Sequence, residues 1–87
     1  MKHAGQAALD RLEPLLARVR AHPTLKEKSR GVFYLRSRAF LHFHEDPRGL
    51  YADVRMPDAA DFERLWVDDE EGAADVLARV AQATAGR

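Results

Sequence analysis

The feature that most constrains the fold is a change of hydrophobic period along the chain. Leu9, Leu12, Leu16 and Val19 recur at the spacing of one helix face. The middle of the chain changes to the period-two pattern of β-strands. A helical stripe returns near the C-terminus and consists of Ala73, Val76, Leu77, Val80, Ala81 and Thr84. The order helix, strands, helix therefore predicts an α+β fold.

Prolines mark the limits of the first helix. Pro14 lies inside the helical stripe, where it removes one backbone hydrogen bond and contacts the preceding turn. Either the helix kinks at Pro14, or the firm helix begins there and residues 6–12 form a looser turn. His22-Pro23 ends the helix, because the residue before a proline avoids the helical conformation.

Two turn signals divide the middle of the chain into strands. Val32 to Leu35 and Ala39 to His44 form a predicted hairpin that turns near Arg36-Ser37. Asp46-Pro47-Arg48-Gly49 is a second turn, which leads to a third strand. Residues 24–30 are read as a polar stretch, 56–61 as a loop, and 62–67 as a fourth strand or a helical turn. Residues 68–71 carry the acids of a capping box, with Asp68 capping and Glu71 three residues on.

We therefore expect one α+β domain over residues 1–87, with frayed ends at residues 1–5 and 85–87. An N-terminal helix precedes a three- to four-stranded antiparallel meander, and a C-terminal helix follows it. Both helices are expected on one face of the sheet.

Composition excludes several classes of protein. The 87 residues include no cysteine, so disulfides, thiolate nucleophiles and cysteine zinc sites are ruled out. No Gly-x-Ser-x-Gly, GxGxxG or Walker A motif is present. No uncharged run approaches the roughly 18 residues of a membrane span. The 15 Ala, 11 Arg and 3 Lys, with no Ile, are typical of a GC-rich bacterial genome. We expect a cytoplasmic protein that holds no cofactor. We expect a binding domain rather than an enzyme.

His42-Phe43-His44 is the most suggestive short element. Residues two apart on a strand share a face about 7 Å apart, so both imidazoles could bind one metal ion. The third ligand depends on the register across the following turn. A two-residue loop places His42 opposite Asp53. A three-residue loop with a glycine bulge, the commoner use of such a sequence, places His42 opposite Val54 and leaves the pair on a largely apolar wall.

The net charge of zero results from two unlike halves. Residues 1–44 hold nine Lys or Arg and three Asp or Glu, whereas residues 45–87 hold five and eleven. A basic segment with embedded aromatic residues could contact nucleic acid. Alternatively, folding interleaves the charges and no ligand binds. The candidate contacts are Arg18, Arg20, Lys26, Lys28, Arg30, Arg36 and Arg38.

Three stretches, 31–34 (GVFY), 37–46 (SRAFLHFHED) and 49–55 (GLYADVR), resemble the YjbR/MmcQ-like group of small bacterial proteins. The resemblance implies helices packed on an antiparallel sheet in a small domain that is not secreted. Some members of that group are labelled as DNA-binding. No active-site residues are carried over from it.

The function expected from the sequence is that of a non-enzymatic interaction domain, and a homodimer would add burial to a small core. Nucleic-acid contact through the basic segment is one alternative, and metal binding at His42 and His44 is another. The candidate ligand-binding residues are Arg38, Phe40, His42, His44 and Asp53.

Overall fold

The computed structural model describes residues 1–85 and confirms an α+β fold. Two helices accompany an antiparallel sheet of six strands. In chain order the elements are β1 (Lys2–His3), α1 (Gln6–Arg20), β2 (Leu25–Ser29), β3 (Val32–Leu35), β4 (Arg38–Asp46), β5 (Gly49–Val54), β6 (Glu63–Trp66) and α2 (Glu70–Ala85). Within residues 1–85, no helix is long and apolar enough to span a membrane.

The sheet has the meander order β2-β3-β4-β5-β6, and β1 pairs with β4 outside this path. The sequence prediction missed two of its strands. Residues 24–30 were expected to be a polar stretch, but β2 forms an edge strand with largely exposed side chains, so it shows little hydrophobic alternation. Residues 1–5 were expected to fray, but Lys2 pairs with Glu45 and His3 with His44. A strand of two residues is too short for a periodic signal.

Helix α1 continues through Pro14 and ends at Arg20, just before the predicted stop at His22-Pro23. The late-starting helix is therefore wrong, because one helix of 15 residues includes residues 6–12, and the kink at Pro14 stays a prediction. Its buried stripe stabilises it despite the lost backbone bond, since tertiary packing outweighs local propensity. That stripe consists of Ala8, Leu12, Leu15, Leu16 and Val19.

Helix α2 is capped one residue later than the predicted capping box implies. The Asp69 carboxylate accepts a hydrogen bond from the Gly72 backbone N–H at 2.8 Å, which satisfies one of the free donors in the first turn. Asp68 instead accepts a hydrogen bond from the Leu50 backbone N–H at 3.3 Å. Asp68 therefore ties the start of α2 to β5.

One hydrophobic core contains residues from both helices and from β3, β4 and β5. Leu16, Val19, Val76 and Val80 have no exposed surface, and the strand residue Val54 is equally buried. The shared core supports the expectation that both helices lie on one face of the sheet, which stays a prediction.

A β-bulge at Phe40 changes which side chains of β4 lie together. Phe33 pairs with Leu41 while Tyr34 pairs with Ala39, so Phe40 is an extra residue in the ladder. Phe40 and Leu41 are consecutive, yet both are buried in the core. Phe40 therefore packs in the core and is not grouped with His42 and His44, and its place in a ligand-binding set stays a prediction.

Gly72 provides a test of the packing between β6 and α2. A Cβ atom at Gly72 would overlap the Trp66 carbonyl and lie 3.0 Å from the Val67 Cα. In an ordinary helix, Gly→Ala stabilises by about 0.5–1 kcal/mol. Here we expect Gly72→Ala to lower the free energy of unfolding by more than about 1 kcal/mol, measured by urea denaturation. The control Ala74→Gly on the exposed side of α2 should cost about 0.5–1 kcal/mol. A more stable Gly72→Ala protein would contradict this close packing.

Candidate metal centre

The register between β4 and β5 brings the candidate ligands together. Asp46 pairs with Gly49 across a two-residue loop, so His42 lies opposite Asp53 and His44 opposite Tyr51. This is the first of the two registers considered from the sequence, and the bulged three-residue loop is not formed. The Asp46 carboxylate accepts hydrogen bonds from the Arg48 backbone N–H at 3.1 Å and from its Nε at 2.9 Å. Gly49 adopts a φ of 143°, which favours glycine.

The same register is enforced on the core side of the sheet. Leu41 pairs with Val54 and Phe43 with Ala52, and all four are buried. A shift of one strand by one residue would turn the apolar side chains of that strand to the opposite face. Burial of the core residues therefore places the alternate residues His42, His44 and Asp53 together on the other face of the strands.

The three side chains form a compact group, called here the His–Asp cluster (His42, His44 and Asp53). The Asp53 Oδ2 lies 3.2 Å from the His44 Nε2 and 3.8 Å from the His42 Nε2. One ligand atom from each side chain lies within 4.8 Å of the other two. The side chains are 9 to 20 % exposed, so the cluster is largely shielded from water.

Arg64 fixes the carboxylate of the cluster. Its Nε donates a hydrogen bond to the Asp53 Oδ1 at 2.7 Å, and its Nη2 donates to Oδ2 at 2.8 Å. The bidentate pair forms because β6 places Arg64 directly opposite Asp53. Asp53 is thereby held in one orientation, with Oδ2 facing both histidines.

The histidine nitrogens of the cluster lack partners. Within the described residues, the His42 Nε2 and both ring nitrogens of His44 are buried without a hydrogen bond. Buried polar atoms are nearly always paired, because an unpaired one costs about 1–3 kcal/mol. These nitrogens are therefore not engaged by other groups of the described residues.

Two further aromatic side chains cover the cluster. The His3 ring centroid lies 4.7 Å from that of His44 and 5.6 Å from that of His42. The Phe62 ring centroid lies 4.9 Å from that of His42. Sequence reasoning missed His3 and Arg64 as neighbours of the site. Pairing the predicted fourth strand in register with the third could have found Arg64, whereas the short β1 offered no signal for His3.

Burial and charge shift the pKa values of the cluster in a consistent way. Burial is the main cause that lowers the pKa of His42, and repulsion from His44 lowers it further against the attraction of Asp53. For Asp53, burial opposes ionisation, but the hydrogen bonds and charge of Arg64 outweigh it and lower the pKa. Asp53 is therefore a carboxylate at neutral pH and the His42 ring is a neutral donor, which are the states that metal binding requires.

The predicted ligand-binding set is split between two places on β4. His42, His44 and Asp53 form the cluster, whereas Arg38 and Phe40 line a separate cavity near the start of the strand. The bulge at Phe40 separates Arg38 from His42 and His44 along β4.

The predicted nucleic-acid segment is partly neutralised by carboxylates. Arg20 pairs with Glu13 and Glu27, each at 2.6 Å. Arg30 pairs with Asp10 at 2.8 Å and with Glu13 at 2.9 Å. These two arginines therefore have less charge available for phosphates, and nucleic-acid contact stays a prediction.

The other residues of the basic segment are dispersed. The Lys28 Nζ lies 4.1 Å above the Tyr34 ring, and Lys26 lies opposite Tyr34 on the edge strand. Arg18 lines a groove between the helices, whereas Arg36 and Arg38 line the cavity near the start of β4. The structure thus distributes the predicted contacts over several surfaces.

No family model, curated protein or solved structure matches the chain. The resemblance to the YjbR/MmcQ-like group therefore gains no support from known proteins and stays a prediction. The residues and their geometry carry the functional argument.

The lowered pKa of His42 predicts how stability depends on pH. Protonation of His42 favours the unfolded chain, in which the pKa returns to about 6.5. The free energy of unfolding should therefore reach its full value above about pH 6.5 and decrease as the pH falls below about 6.5. In EDTA, His42→Phe keeps a ring beside Phe62 but removes the titrating group.

We expect a shallower decrease of stability in His42→Phe between about pH 7 and about pH 5, measured by urea denaturation. His22→Phe makes the same substitution at a histidine outside the cluster and is the matched control for an effect specific to the cluster. Equal slopes for the unaltered protein and His42→Phe would contradict the lowered pKa.

Proposed function

We propose that this domain is a non-enzymatic binding protein whose ligand is a divalent transition-metal ion. His42, His44 and Asp53 would bind the ion. The observation that carries the proposal is the set of buried histidine nitrogens without hydrogen-bond partners, which face an ionised carboxylate. One cation could bind the His42 Nε2, one ring nitrogen of His44 and the Asp53 carboxylate together.

The types of ligand define the class of metal. Two imidazoles and one carboxylate suit borderline ions such as Zn²⁺, Ni²⁺ and Co²⁺ and the ferrous ion, whereas Mg²⁺ and Ca²⁺ prefer oxygen ligands. Ligand atoms about 2.1 Å from a tetrahedral zinc ion lie about 3.4 Å from one another. The separations of 3.2 and 3.8 Å between the histidine Nε2 atoms and the Asp53 Oδ2 are close to this value. Small movements of the side chains would bring all three ligand atoms within bonding distance of one ion and leave the fourth position to another ligand.

Arg64 has the role of a residue that positions a metal ligand. Metal-bound carboxylates are usually hydrogen-bonded to a second group that orients them. Arg64 provides two such bonds to Asp53 and leaves lone pairs of Oδ2 for the ion. Its positive charge opposes the cation, which favours moderate over very tight affinity.

Binding is better supported than catalysis. An effective general base has a pKa near the working pH, but Arg64 holds the pKa of Asp53 low. The neighbouring side chains His3 and Phe62 cover the cluster and supply no hydroxyl nucleophile. A cytoplasmic location and a homodimeric state stay predictions.

Calorimetric titration with Zn²⁺ and Ni²⁺ tests the proposal. We expect binding of one ion per chain, and His42→Ala, His44→Ala and Asp53→Asn should each lower the affinity by at least about tenfold. Linkage predicts about 2.7 kcal/mol of added stability at 100 times the Kd. His22→Ala is the matched control and should bind like the unaltered protein.

Two outcomes would contradict the proposal. One is the absence of saturable binding of Zn²⁺ and Ni²⁺ by the unaltered protein. The other is binding that the three variants in the cluster leave unchanged, because the ion would then occupy another site.

A further inference from the structure

A cavity of about 140 Å³ lies beside the β3–β4 turn, at the opposite end of β4 from its turn with β5. This cavity, called here the arginine cavity, is much larger than the roughly 10–15 Å³ that one water molecule needs. Arg36, Arg38 and Arg55 provide its charged lining, and the remaining lining residues are apolar. These are Leu35, Ala39, Phe40 and Pro57.

The arginines that line the arginine cavity form no ion pair with a carboxylate of the described residues. Within residues 1–85, six of the ten arginines pair with a carboxylate, namely Arg11, Arg20, Arg30, Arg48, Arg64 and Arg79. The other four are Arg18, Arg36, Arg38 and Arg55. Three of these four line the one cavity. None of the three arginines that line the cavity therefore forms an ion pair within the described residues.

Two of the guanidinium groups are held in place by backbone carbonyls. Arg38 donates hydrogen bonds to the carbonyls of Pro57 at 2.8 Å and Ala59 at 2.7 Å. Arg55 donates two N–H groups to the Ala39 carbonyl, at 2.8 and 3.1 Å. Carbonyl bonds orient an arginine without neutralising it, and each group has further N–H donors. The cavity is thus preorganised for an anion.

We propose that the arginine cavity binds a small oxyanion, a phosphate or carboxylate group attached to a small apolar body. Guanidinium groups match the paired oxygens of both anions with two parallel hydrogen bonds. Leu35 and Pro57 provide an apolar surface for the rest of the ligand. Three arginines around one cavity would give the anion more charge-assisted bonds than a single surface arginine can.

This site is independent of the His–Asp cluster. The Arg55 guanidinium lies 4.6 Å from the Phe62 ring, whose other neighbour is the His42 ring. The two sites are thus adjacent, but they share none of the proposed ligand-binding side chains. Anion binding should persist in EDTA and in His42→Ala, and metal binding should persist in Arg36→Asn.

The test is an NMR titration of the full chain in EDTA, with phenyl phosphate, inorganic phosphate, benzoate and neutral phenol as probes. We expect phenyl phosphate to shift the amide signals of residues 35–40, 55 and 56 saturably. Inorganic phosphate should bind more weakly because it lacks the apolar body, and phenol should not bind.

Arg36→Asn is the informative variant. Arg36 has a φ of 53°, a conformation that asparagine tolerates, so the turn should be kept. Loss of its charge-assisted bonds should weaken phenyl phosphate binding by at least about tenfold. Arg18→Asn removes the unpaired arginine that lies outside the cavity and should leave the affinity unchanged. Arg55→Lys keeps a charge but loses the planar fork, and it should also weaken binding.

Three results would overturn the proposal. The first is the absence of saturable shifts with phenyl phosphate, inorganic phosphate and benzoate. The second is an affinity for phenyl phosphate that Arg36→Asn and Arg55→Lys leave unchanged. The third is tighter binding of a DNA oligonucleotide that is lost equally in Arg18→Asn and Arg36→Asn, which would indicate a broad nucleic-acid surface instead.

Discussion

The pairing of β4 with β5 is the interaction on which the fold and the candidate site both depend. Burial of Leu41, Phe43, Ala52 and Val54 fixes the register, since a shift of one residue would turn the apolar side chains of one of the two strands away from the core. The residues that alternate with these core residues must then point to the other face of the sheet, so both histidines of β4 lie beside Asp53. The hydrophobic core thus determines the geometry of the polar cluster, although no apolar side chain belongs to it.

Strand β4 contributes residues to both the His–Asp cluster and the arginine cavity, because a β-bulge divides the strand. After Phe40, the alternation of side chains places His42 and His44 away from the core, beside Asp53 and its partner Arg64. Before Phe40, Arg38 and the turn residue Arg36 line the arginine cavity. One strand thus connects a cluster suited to a cation with a cavity suited to an anion, and Phe62 lies between His42 and Arg55.

The helices, the two tight turns and the α+β class could be predicted from periodicity and turn residues. The metal ligands could be named from the sequence, but the choice between two registers could not be made. Asp46-Pro47-Arg48-Gly49 is compatible with both loop lengths, and core burial on β5 decides between them. Strand β1 could not be predicted because a strand of two residues shows no hydrophobic period. The bulge at Phe40 could not be predicted because it depends on how β4 pairs with β3. The net charge of zero gave no indication of the arginines without ion pairs, because Arg55 joins Arg36 and Arg38 only in the folded chain.

The central claim is that core burial creates a metal site from His42, His44 and Asp53. The most direct test is a crystal grown with Zn²⁺, from which anomalous diffraction locates the ion. The account predicts an anomalous peak about 2.0–2.2 Å from a nitrogen of each histidine and from an Asp53 oxygen. Arg64 should still contact the carboxylate. An ion bound only elsewhere on the chain, or an empty cluster at saturating Zn²⁺, would contradict the account.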